Sequence, residues 1–180
     1  MKKSVLACLL LIIFSAWLTG CGSETSETIE VEISPDSDSK TIFFSPQSLL
    51  VRTKSQFSLK VKITQVNNVF GIGFDLRYNP VFFEWVRVSD EDSFLSDNGQ
   101  VFLATASSSP GELSFAITRL GKSSGGVSGP GLVAILGFKS LGRKGQSQIS
   151  FYKNYICILE KDGSHHFENI DQQNASIRVR

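Results

Sequence analysis

"FGIGFDLRYNP", residues 70–80, alternates Phe70, Ile72, Phe74, Leu76 and Tyr78 with Gly71, Gly73, Asp75 and Arg77 before Asn79 and Pro80 stop it. A period of two belongs to an extended strand, whose successive side chains leave on opposite faces. The first set must be covered by another layer, so the stretch predicts one wall of a packed sheet. The second set must meet water or a partner, and two of its four members carry no side chain.

The same grammar runs outward from this strand. From Thr41 onward, short extended segments alternate with turn residues: "TIFFSP", "FSLKVKITQV", "FGIGFDLRYNP", "FFEWVRV", "VFLATAS", "ELSFAITRL", "GLVAILGFKSL", "ISFYKNYICILE" and "NASIRVR". No stretch sustains a 3.6-residue period, and this spacing of strands predicts a β-sandwich or jelly roll. In "FSLKVKI", Phe57, Leu59, Val61 and Ile63 alternate with Ser58, Lys60 and Lys62, the pattern of a half-buried antiparallel strand. With 41% hydrophobic and 19% charged residues, the 180-residue chain has the material for one domain with a real core. The 14 phenylalanines are expected mostly to fill it.

The N-terminus is built differently. Lys2 and Lys3 precede the apolar run Val5 to Leu18, which is too short for a spanning helix and reads as a secretion signal over residues 1–20. "LTGC", Leu18 to Cys21, resembles the bacterial lipobox, which implies diacylglycerol on the Cys21 thiol and cleavage just before it. Once Cys8 has left with the leader, Cys157 is the remaining candidate partner for Cys21. Cys157 lies in strand-like "YICILE", where a small buried thiol is the simpler expectation than a bridge. Acyl chains, at about 0.8 kcal/mol per buried methylene, would hold the chain on a membrane. Gly22 in place of the Asp that favours inner-membrane retention in many Gram-negative lipoproteins points to the outer membrane or cell surface of such an organism. Residues 21–40, rich in Ser, Thr, Asp and Glu, read as a flexible tether with a reach of roughly 25 Å, ahead of a domain over 41–180. Losing the leader's two lysines from 18 Lys and Arg, against 17 Asp and Glu, leaves a formal charge of −1. Nucleic-acid binding would lack its electrostatic driving force.

The ordered segments "FGIGFDLRYNPVFFEWVRV" and "GELSFAITRLGKSSGGVSGPGLVAILGFKSLGRKGQSQISF" resemble the cohesin domain over about residues 41–180. The family pattern has a strand ending Tyr-Asp-Pro, a Gly-rich loop, and "G-x-Ala-x-Ile-x-Phe-Lys" before the next strand. The resemblance implies a nine-stranded antiparallel jelly-roll sandwich without catalytic activity. It also implies a partner: dockerin, a calcium-dependent helical module carried by polysaccharide-degrading enzymes. In cellulosomal cohesins the outward positions of the first strand often carry an Asn and an Asp that contact dockerin. Here those positions are Gly71 and Gly73, with Asp75 and Arg77 following. The neighbouring family strand is "LSFAITRL", with Ser114, Ala116 and Thr118 outward. These seven residues form the candidate partner-binding face, and Gly73→Arg is expected to leave the fold intact while blocking a partner.

Other motifs fail their context. "AITRLGKS" has Ala116 where a phosphate loop needs its first Gly, and "GPGLVA" has no strand leading into it. His165 and His166 in "KDGSHHFEN" read as a polar turn with no second ligand cluster. "SDEDSFLSDNGQ", Ser89 to Gln100, gathers hard oxygen ligands of the kind calcium takes and reads more simply as a solvated acidic loop. Trp85, the one tryptophan after the leader, fits core packing as well as a sugar platform. The expectation is therefore a lipid-anchored, extracytoplasmic binding module with no catalytic residues, metal or cofactor. Direct carbohydrate binding, or a structural adaptor role in envelope or secretion assembly, stands as the alternative.

Overall fold

The computed structural model describes residues 39–121, 125–159 and 164–180. The expected leader, Cys21 and all but the last two residues of the expected tether fall outside the described residues. Twelve strands carry the described fold: β1 (Thr41–Ser45), β2 (Ser48–Val51), β3 (Gln56–Ile63), β4 (Val69–Tyr78), β5 (Phe83–Ser89), β6 (Gln100–Ala106), β7 (Glu112–Leu120), β8 (Gly131–Ser140), β9 (Gly145–Leu159), β10 (His165–Glu168), β11 (Asp171–Gln173) and β12 (Ala175–Val179). A single 3-10 turn, Phe94–Ser96, interrupts the β5–β6 connection.

They form two sheets packed face to face. The smaller runs β11-β1-β3-β8-β5; the larger runs β2-β12-β9-β4-β7-β6, with β10 beside the far half of β9. The sandwich and its all-β class are those expected from the alternation. Nine strands match the nine sequence segments, and β2, β10 and β11 are additional. The pairings β1–β11 and β2–β12 are parallel, so the fold departs from an all-antiparallel sandwich. The reason lies at the chain ends: the first and last segments each split between the two sheets, a strand-switching corner, and lie side by side along one edge of the sandwich. Split pieces of three or four residues are too short to show a period. His165 and His166 belong to β10, which pairs antiparallel with β9, rather than to a turn.

The core follows the alternation where the register is regular. Leu59, Val61 and Ile63 of β3 face Ile72, Phe74 and Leu76 of β4 and Leu113, Phe115 and Ile117 of β7 within one continuous buried cluster. Four rings run through its centre: Phe44 stacks on Phe151 at 4.4 Å, Phe151 meets Phe74 edge-on at 5.6 Å, and Phe74 stacks on Phe115 at 4.5 Å. Because Phe44 belongs to the smaller sheet and the other three to the larger, this chain of rings joins the two layers. Offset and edge contacts of this kind add about 0.5–1.5 kcal/mol per pair to the burial itself.

Phe70 departs from its expected place. The β4–β9 register slips between Val69 and Gly71, so Val69 takes the buried position and Phe70 is half-buried, its ring edge-on to His165 at 5.0 Å. Phe102 and Phe167 also lie outside the core, 56% and 69% exposed. Trp85 packs against the core with its indole N–H donating to the Arg87 carbonyl at 3.1 Å, so it is not a free platform.

Candidate protein-binding face

The outward positions of β4 and β7 meet in direct register. Gly71 pairs with Thr118, Gly73 with Ala116, Asp75 with Ser114 and Arg77 with Glu112. The seven residues singled out in the sequence therefore lie on one surface, and the register extends them into rows across the larger sheet. One row reads Ala104 (β6), Ala116, Gly73, Tyr155 (β9); the next reads Phe102, Thr118, Gly71, Cys157, Phe167. The floor is small residues. Aromatic rings flank it, Phe102 on β6 and Tyr155 with Phe167 on β9 and β10.

The two glycines answer to close approaches. A Cβ on Gly73 would lie 2.2 Å from Cε2 of Tyr155, so the tyrosine ring lies directly over the glycine. An aromatic ring covering a strand glycine restores the apolar cover that the missing side chain withholds. A Cβ on Gly71 would come within 3.1 Å of the Ile117 carbonyl oxygen. Gly73 is thus not open surface, and the expected harmless Gly73→Arg must displace Tyr155. Tyr155 remains 41% exposed, its edge against Phe167 at a centroid distance of 6.4 Å.

Polar groups gather at one end of the plate. Asp75, Arg77, Ser114 and Glu112 line a depression of about 160 Å³ with Tyr152. The Arg77 guanidinium lies 3.6 Å from the Tyr152 ring centroid, and its Nε is 3.4 Å from the Glu112 carboxylate. Hydrogen bonds from the Ser109 and Ser108 hydroxyls, at 3.0 and 3.2 Å, hold the Glu112 carboxyl below its ordinary pKa, with Arg77 adding to the effect. Two acids, Asp75 and Glu112, balance two bases, Arg77 and Lys153, so the face has no strong field of either sign.

Cys157 sits half-buried in the second row between Gly71 and Phe167, not in the core, and partial burial pushes its thiol pKa up. A raised thiol holds less thiolate and reacts slowly. The 89–100 loop is organised by Arg119, a buried side chain whose guanidinium donates to the Leu95 and Asp97 carbonyls, the latter at 2.9 Å. Among the described residues no three His, Cys, Asp or Glu side chains come together as a metal group.

Sequence reading missed Tyr155, Phe102 and Phe167. Phe102 lies between Val101 and Leu103, so either phase of "VFL" satisfies a core. Phe167 belongs to the strand taken for a turn. Tyr155 is in phase with the outward set of β9, but two residues of outward phase between Phe151 and Asn154 hide that phase from a simple alternation.

A two-sheet sandwich presenting a flat, small-residue plate with aromatic flanks is the build of a β-sandwich recognition module. The cohesin domain profile matches residues 45–166, and the chain belongs to the cohesin family. Solved structures of similar fold include the seventh ScaB type I cohesin of Pseudobacteroides cellulosolvens, 16% identical with a TM-score of 0.64 over 78% of this chain and 92% of that one. A type I cohesin in a cohesin–dockerin complex from Clostridium thermocellum gives 9% identity and a TM-score of 0.64 over 79% of this chain and 100% of that one. The non-cellulosomal cohesin of the archaeon Archaeoglobus fulgidus gives 18% identity and a TM-score of 0.58 over 79% and 91%. No curated protein matches the chain in sequence.

Proposed function

We propose that this chain is a lipid-anchored, extracytoplasmic receptor module whose β6–β7–β4–β9 face captures a dockerin-like protein, attaching polysaccharide-degrading partners to the cell envelope without catalysing a reaction itself. The observation that carries the reading is the register of β4 on β7, which joins Gly71, Gly73, Asp75 and Arg77 to Ser114, Ala116 and Thr118 as one plate. Similar folds solved as cohesin–dockerin complexes support it. The exposed Ala104, Ser114 and Ala116, beside the Tyr155-covered Gly73, let a partner helix approach closely with little side-chain entropy to lose. The exposed rings supply rigid apolar anchors of the kind that dominate interface energies. With opposite charges balanced, affinity rests on shape and apolar contact, and salt should change it little.

Ala116→Arg tests the face directly. Ala116 is exposed at the centre of the plate, so the variant should melt like the parent while its affinity for a calcium-loaded dockerin of the same genome falls more than tenfold, an arginine being buried there without a partner. Titration calorimetry of both proteins against each dockerin checks it. Unchanged affinity in the variant, or no binding by the parent, overturns the reading. Anchoring is tested apart from this. Cys21→Ser should abolish incorporation of labelled fatty acid and release the protein from membranes, and continued labelling would refute the lipid anchor.

A further inference from the structure

Along the edge of β9 that β4 does not occupy, a gap between its two other neighbours opens beside the plate and shares Tyr152 and Tyr155 with it. β12 pairs with β9 at residues 145–149 and β10 pairs with it at 156–159. Between them β9 faces the segment that crosses from the larger sheet to the smaller through Asn169, Ile170 and β11. The gap is an open cleft of about 760 Å³, within the range of roughly 300–1,000 Å³ that small ligands occupy.

Its wall is fixed by side-chain amides standing in for a missing strand. Asn154, buried, donates from Nδ2 to the Ile170 carbonyl at 2.9 Å and to Gln172 Oε1 at 3.0 Å, and its Oδ1 accepts from the Ile170 N–H at 2.9 Å. Gln172 in turn donates to the Phe151 carbonyl at 3.2 Å, and Asn174 Oδ1 accepts the Phe151 N–H at 3.0 Å. A wall held this way is preorganised, so a ligand does not have to order it.

Two tyrosines stand on the rim because of a bulge. Residues three apart on a regular strand point to opposite faces, yet Tyr152 and Tyr155 are both outward, 49% and 41% exposed. The register moves from Asp75↔Lys153 to Leu76↔Phe151, inserting one residue into β9 and returning Tyr152 to the side of Tyr155. Bulges re-aim side chains in this manner beside binding sites. The Asn169 amide and the Asp171 carboxylate also line the cleft, with no side-chain partner among the described residues.

The lining selects a ligand by chemistry. Lys153 and Asp171 contribute one charge of each sign, which disfavours phosphates and other strongly ionic ligands. Amides, hydroxyls and the Asp171 carboxylate make up most of the remainder, a surface that suits a ligand dense in hydroxyl groups. Ile170 and the two tyrosine rings, Tyr152 with the Arg77 guanidinium over one of its faces, are its main apolar elements, too little for a lipid but suited to the flat C–H face of a sugar ring. We infer that this cleft binds a neutral oligosaccharide, a pyranose lying against Tyr152 and Tyr155 with its hydroxyls bonded to Asn169 and Asp171. The module then contacts polysaccharide by itself, and because Tyr155 also flanks the plate, a sugar and a protein partner contend for that ring.

Calorimetric titration of the purified protein with soluble neutral gluco-, xylo- and manno-oligosaccharides tests this. At least one should bind, and Tyr152→Ala and Asn169→Ala should each weaken it by about tenfold with unchanged melting temperature. Phe102→Ala, on the plate's far flank at β6, should leave that binding unaltered, which separates the cleft from the rest of the plate. Absence of binding by every neutral oligosaccharide at millimolar concentration overturns the inference. So does full affinity in the Tyr152→Ala/Asn169→Ala double variant, or a preference for uronic-acid oligomers over neutral ones.

Discussion

The two outer faces of this sandwich are built by the same alternation and end as opposite kinds of surface. On the smaller sheet five outward positions carry long charged side chains, Lys60 and Lys62 on β3, Lys139 on β8, and Glu84 and Arg87 on β5, with Phe43, Ser58 and Ile135 among them. Gly137 is covered in this way too, since a Cβ on it would lie 2.9 Å from Arg87 Cγ. On the larger sheet the centre of β6, β7 and β4 carries Gly, Ala and Thr between exposed rings, with the charged Asp75, Arg77, Glu112 and Lys153 gathered at one end and Gly73 lying under Tyr155. Immobilising a lysine or arginine against a partner costs up to about 2 kcal/mol of rotamer freedom, whereas glycine and alanine cost nearly none. A period-two pattern says which residues face out; the size and stiffness of those residues decide whether the face stays hydrated or receives another molecule.

The comparison presupposes a core shared by both faces, and the largest effect comes from breaking it. Phe74→Ala removes the ring that bridges the Phe151 and Phe115 contacts and should cost about 3–5 kcal/mol in denaturant unfolding. A loss below about 1 kcal/mol would mean that the ring chain does not join the sheets. Gly73→Arg follows. It should destabilise by about 1 kcal/mol, the low end for bulk forced into a filled position, because the Tyr155 ring can swing out toward solvent. A variant as stable as the parent would show that the ring does not rest on the glycine.

On the opposite face Lys60→Ala should change stability by no more than about 0.5 kcal/mol and leave dockerin affinity untouched. A loss of binding there would reverse the assignment of the two faces. The smallest effect concerns Glu112. Its folded pKa lies below the ordinary 4.5, so any stability its contacts contribute is complete above the unfolded value and is lost as pH falls through the folded value. Carboxyl NMR titration should give a midpoint below 4.5, and Ser109→Ala should move it upward. An unmoved midpoint would discharge the serine from that role.

Much of this architecture was legible in the residues. The nine alternating segments coincide with nine of the strands, and Leu59, Val61, Ile72, Phe74 and Leu76 are buried as their phase requires. The ordered motifs from "FGIGFDLRYNP" to "GLVAILGFKS" carry the family, and the family gave β7 as the neighbour of β4. The expectation of a leader and lipobox rests on Lys2 to Cys21 alone, outside the described residues.

What only the tertiary structure decided depends on strand partners. Phe70 was assigned to the core by its phase, but a slip against β9 put Val69 there instead. Tyr152 and Tyr155, three residues apart, would leave a regular strand on opposite faces, and a second slip put them on one. A single inserted residue reverses every side chain beyond it, and nothing in the local sequence marks the insertion, because it is set by the hydrogen bonding of the neighbouring strand. The short strands β2, β10 and β11 escaped for a related reason: three or four residues hold too little period to read, and they are strands only because β12, β9 and β1 lie beside them. The sequence alone therefore determined which segments are strands of a core; the pairing of those strands decided which rings face outward.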